Sequence, residues 1–76
     1  MKIDGKEMVK ALQKAGFELC RQRGSHVHLE KKGADKTLNV TVPIHGNEEL
    51  NPFVLHSIAR QAGYSYTDFV RLISNR

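Results

Sequence analysis

Phe17-Glu18-Leu19-Cys20-Arg21-Gln22-Arg23-Gly24-Ser25-His26-Val27-His28-Leu29-Glu30 is the stretch on which the fold turns. Before it, apolar residues recur every three to four positions; from Phe17 onward they recur at every second one. Phe17 and Leu19, then Val27 and Leu29, then Leu38, Val40 and Val42 alternate with polar residues. That alternation predicts three strands sharing one buried face. Gly24 can supply the positive φ of a tight turn at Arg23-Gly24-Ser25, and a second turn spans Lys31 to Lys36 with Gly33 and Asp35. Connections this short predict an antiparallel meander. Cys20 reads as a half-buried strand residue, since no catalytic motif surrounds it.

Helical signals flank the strands on both sides. Asp4 and Glu7 form a capping box, Ile3 and Met8 are spaced as a hydrophobic staple, and Gly16 ends the first helix. Met8, Leu12 and Ala15, widened by Val9 and Ala11, place one apolar stripe toward a core. Lys6, Lys10 and Lys14 occupy the other face, four apart and mutually repulsive, so they are either solvated or set against something negative. After Val42 a loop runs from Pro43 to Leu50. A second helix begins at Asn51 with Pro52 in its first turn, carries the stripe Leu55, Ile58, Ala59 and Ala62, and stops at Gly63. Ser65 and Asp68 start a short third helix with Phe69, Leu72 and Ile73 inward. The order α-β-β-β-α-α predicts one α+β domain over residues 1–76, with a three-stranded antiparallel sheet and helices packed on one face.

Size sets the next bound. A chain of 76 residues buries only about 60% of the surface its unfolded form exposes. It has no room to enclose a large organic cofactor, none is expected, and any chemistry must sit at the surface. A single cysteine makes no internal disulfide and fits a reducing compartment. Met1 to Lys6 lacks the apolar stretch of a signal peptide, and the longest apolar run is Phe53-Val54-Leu55. A soluble cytoplasmic protein is expected.

The formal charge of +4 is unevenly placed. Residues 1–38 hold nine Lys or Arg and five Asp or Glu, whereas residues 39–76 hold three of each. Arg21, Arg23, Lys31, Lys32 and Lys36 crowd one short stretch, the footprint of a surface that meets a polyanion such as RNA.

Strand alternation puts His26, His28 and Glu30 on the face opposite Val27 and Leu29, away from the core. His26 follows the Gly24-Ser25 turn among cations, the setting that metal-free phosphodiester cleavage requires. One group takes a proton from the 2′-hydroxyl, another protonates the leaving oxygen, and positive charge stabilises the phosphoryl transition state. His28 and His45 are the candidate second groups. The same three histidines are alternatively a metal triad, although no carboxylate or cysteine is clearly placed to complete one. His56, beside Leu55, has no such setting and is expected to be structural or solvated.

Three segments make the chain recognisable: Gly16-Phe17-Glu18-Leu19 leading into Arg21-Gln22-Arg23-Gly24-Ser25-His26; Thr41-Val42-Pro43-Ile44-His45; and Ile58-Ala59-Arg60-Gln61-Ala62-Gly63-Tyr64-Ser65 before Phe69. In this order, over nearly the whole chain, they resemble the HicA family of toxins. The resemblance implies a fold like that of a double-stranded-RNA-binding domain. It also implies a ribosome-independent mRNA interferase that cuts single-stranded or messenger RNA without a metal and halts translation. The active histidine it implies is His26, presented by the turn at Gly24. The implied partner is a cognate HicB-type antitoxin covering that histidine, with a monomer when free and a hetero-oligomer in the complex. Where the family often carries a basic segment before its second helix, this chain has Asn47-Glu48-Glu49-Leu50. A non-catalytic RNA-binding module is the alternative, since RNA is also bound by shape and phosphates alone. A protein-interaction adaptor with a basic docking face is the third.

Overall fold

The computed structural model of the protein describes residues 2–76. The two periodicities resolve into α1 (Gly5–Lys14), β1 (Glu18–Arg23), β2 (His26–Lys32), β3 (Thr37–Pro43), α2 (Pro52–Gln61) and α3 (Tyr66–Ser74), in the expected α-β-β-β-α-α order. The capping box is formed at α1, where the Glu7 N–H donates to Asp4 and the Asp4 N–H donates to Glu7. Asn51 and Ser65 cap α2 and α3 by accepting from the N–H groups of Val54 and Asp68.

The strands pair antiparallel in the order β1-β2-β3. Val27, Leu29, Val40 and Val42 point from β2 and β3 into a core completed by Met8 and Leu12 of α1, Leu55 and Ile58 of α2, and Phe69 and Ile73 of α3. Their alternates His26 and Asn39 are exposed and His28, Glu30 and Thr41 half-buried, so the helices cover a single face. Both sheet edges are unpaired strands, and β3 is blunted where the Thr41 N–H donates to the Gln61 side chain of α2 at 2.9 Å.

Two expectations fail at β1. Leu19 was expected inward, yet it is 47% exposed, and Cys20 is exposed rather than half-buried. Leu19 still pairs with Leu29, so it lies on the core side of the sheet. Every residue of β1 is nonetheless exposed, because this edge strand extends past the cover that the helices give to β2 and β3.

Gly5 is fixed by a close approach. A Cβ there would lie 2.5 Å from the Pro43 carbonyl oxygen and 2.7 Å from Ile44 Cγ1. The start of α1 is thus seated directly on the end of β3, and Ile3 and Leu50 close the same corner through a backbone hydrogen bond of 2.9 Å. Alanine normally stabilises a helix relative to glycine by about 0.5–1 kcal/mol. Gly5→Ala is expected to do the opposite, costing about 1–3 kcal/mol through overpacking. A urea midpoint that stays level or rises in this variant would refute the contact.

Candidate active site

The site begins with a two-residue turn. Arg23 pairs with His26, leaving Gly24 and Ser25 to reverse the chain. Gly24 has φ 57° and Ser25 no positive φ, the pattern of a type II′ hairpin with glycine first. The Ile44 N–H donates to the Ser25 carbonyl at 2.6 Å, so the end of β3 braces the turn from the far side. His26 therefore starts β2 at a position held from both neighbouring strands, with its side chain exposed.

What surrounds His26 is decided by a β-bulge. Glu18 pairs with Glu30 and Leu19 with Leu29, but the next pair is Arg21 with His28, followed by Gln22 with Val27 and Arg23 with His26. Cys20 is skipped. An unbroken period of two from Phe17 and Leu19 would carry Arg21 and Arg23 onto the helix-covered face. The one-residue slip moves both to the histidine face. Directly opposed residues in an antiparallel pair have Cβ atoms about 4.5–5.5 Å apart, so Arg23 stands beside His26 and Arg21 beside His28. Among the described residues, neither arginine makes an ion pair. Both cations are thus left facing solvent.

The other three cations do not join them. Lys31 lies on the helix side, where its ammonium donates to the Ala15 carbonyl at 2.9 Å and sits 5.8 Å from the centre of the Phe17 ring. It satisfies the C-terminal end of α1, where a positive charge is favoured. Lys32 pairs with Thr37 at the other end of the hairpin, about 20 Å along the strand from His26 at roughly 3.3 Å per residue. Lys36 is in the adjoining turn, closed by the Gly33 N–H to its carbonyl. The ring of cations expected around His26 is in fact two arginines.

The candidate second groups lie in different surroundings. His28 is half-buried, and its Nδ1 lies 3.1 Å from the Thr41 hydroxyl across the β2–β3 pair. It borders a shallow depression of ≈ 360 Å³ with Arg21, Glu30 and Asn39. His45 lies in the loop after β3, on a different depression with Glu48, Glu49 and Asn51. Among the described residues no three His, Cys, Asp or Glu side chains converge as metal ligands, so His26, His28 and His45 do not assemble into the alternative triad. His56 stacks on Tyr66 with ring centres 3.7 Å apart, a packing role. For Cys20, partial desolvation and the carboxylates of Glu30 and Glu18 push the thiol up, away from the reactive thiolate.

Thr41 and Gln61 are site residues that the pattern of charges and histidines does not reveal, because their role arises from a cross-strand and a helix-to-edge contact. The bulge did leave a signal. Arg21 and Arg23 share the parity of Phe17 and Leu19, and the change from apolar to basic residues at one parity marks the place where the strand slips.

No helix in the described residues is long and apolar enough to cross a membrane. Comparison with curated proteins gives no match. Residues 5–64 match the family described as HicA toxin of bacterial toxin-antitoxin, a span running from the first residue of α1 past the end of α2 and including the whole sheet. The exposed His26 on its glycine turn, with Arg23 opposite it and Arg21 opposite His28, is thus on the surface of a chain that belongs to the HicA toxin family of bacterial toxin-antitoxin systems.

Proposed function

We propose that this toxin is an endoribonuclease, an mRNA interferase acting in the cytoplasm, that cleaves RNA by metal-independent acid/base chemistry at His26 and so halts translation. The observation that carries the reading is the bulge at Cys20, which puts Arg21 and Arg23 on the face of His26. Phosphodiester cleavage places extra negative charge on the phosphoryl oxygens, and two cations on the same face as an exposed imidazole would stabilise that charge where it develops. The flat, open face suits a polymer threaded across it better than a small substrate enclosed in a pocket. Its antitoxin is proposed to be of HicB type and to act by covering His26, which requires no conformational change because the residue is already exposed.

His26→Ala is expected to lower cleavage by about 10²–10⁴-fold, the usual worth of a proton-transfer group, while circular dichroism and RNA affinity hold. Full toxicity in that variant, or binding without cleavage by the unaltered protein, sinks the enzyme reading; the second result identifies a non-catalytic RNA-binding module. EDTA is expected to leave the rate unchanged.

The cations divide in a second measurement. Arg21→Gln and Arg23→Gln should each weaken RNA binding and reduce the slope of log affinity against log salt by about 0.7, the value for a single-strand phosphate contact. Lys31→Gln should instead lower the thermal midpoint and leave that slope unchanged. Equal slopes in all three variants would contradict the division.

A further inference from the structure

His28 stands on the same strand and face as His26, two residues away, so their Cα atoms are about 6.6 Å apart at 3.3 Å per residue. Arg23 and Arg21 stand opposite the two histidines in turn. Unlike His26, His28 is half-buried and its ring is oriented from one side. The Thr41 hydroxyl occupies Nδ1 at 3.1 Å, and no described group bonds Nε2. Thr41 is held in its turn. Its backbone N–H donates to Gln61 Oε1 at 2.9 Å, and Gln61 Nε2 donates to the Ser57 hydroxyl at 3.0 Å. A chain of contacts therefore runs from α2 through the edge of β3 to the ring of His28. Holding an imidazole by one nitrogen leaves the other free to exchange a proton in a set direction.

We infer that His28 is the second proton-transfer group of the site and that Thr41 is its positioning residue, an inference that rests on the endoribonuclease reading of His26. In the reaction the 2′-oxygen attacks phosphorus as its proton passes to one imidazole. The bond to the 5′-oxygen breaks, and that oxygen takes a proton from the other imidazole. The products are a 2′,3′-cyclic phosphate and a 5′-hydroxyl; one proton is accepted, one is delivered, and no electrons change hands. Arg21 and Arg23 flank the phosphate that lies between the rings. His45 lies in the loop beyond the end of β3, outside the strand pairing that sets His28 opposite Arg21 and against Thr41. The charged and titratable groups around His28 are Cys20, Arg21 and Arg23 from β1 and His26 and Glu30 from its own strand. β3 contributes the neutral Asn39 and Thr41.

The test is single-turnover cleavage of a short oligoribonucleotide by the free toxin between about pH 4.5 and 9. The unaltered protein should show a bell with two limbs. His28→Gln should lower the maximal rate by at least about 10²-fold and remove one limb, and His26→Gln should remove the other. Thr41→Val should lower kcat about tenfold with KM unchanged, and Thr41→Ser should restore it. His28→Asn serves as a second variant with its own hydrogen-bonding amide, and thermal melts check that each protein is folded. A folded His28 variant that cleaves within about threefold of the unaltered rate, or that keeps both limbs at any rate, overturns the inference while leaving His26 in place. An unaltered protein that does not cleave, or a His26→Gln variant that cleaves normally, sinks the endoribonuclease reading itself.

Discussion

One extra residue in β1 governs the working face of this protein. Side chains of a strand alternate with a period of two, so inserting a single residue transfers everything beyond it to the opposite side of the sheet. At Cys20 that transfer happens once, between Leu19 and Arg21. On the near side of the bulge, Leu19 keeps its place over the core side; on the far side, two arginines come to stand against two histidines. A regular strand would have turned both guanidinium groups to the helix side of the sheet, away from the two histidines. The bulge sits on an edge strand, where a locally disrupted ladder is readily solvated.

The remaining structure divides its labour around that face. Val27, Leu29, Val40 and Val42 supply the sheet's buried side, and their exposed or half-buried alternates supply the surface that the proposed chemistry uses. β2 is the central strand, paired with β1 on one side and β3 on the other, so the backbone at His26 is opposed by both Arg23 and Pro43. Gly5, pressed against Pro43 and Ile44, joins α1 to the end of β3, and the Ile44 N–H braces the turn that presents His26. Contacts thus run from the start of α1 through the end of β3 to the turn before His26.

Much of this was legible in the chain. The capping residues Asp4, Asn51 and Ser65, the helical stripes and the switch of period at Phe17 are local features, and local features survive folding with little change. The exposed position of His26 followed from strand parity alone. Parity failed in β1, where exposure of Leu19 and Cys20 depends on how far the helices reach over an edge strand. Proximity in sequence failed for the cations: Lys31 and Lys32 are adjacent, yet alternation sends the first to the end of α1 and the second to the outer end of the hairpin.

By itself the sequence determined the order of elements, the family and the identity of the exposed histidine, because each depends on spacing within a short segment. Only the tertiary structure decided which groups His26 meets. The strand slip at Cys20, the approach of Thr41 to His28 and the reach of Gln61 from α2 to the free edge of β3 join residues far apart in the chain. Such contacts are selected by the best joint packing of sheet and helices, which no single segment encodes.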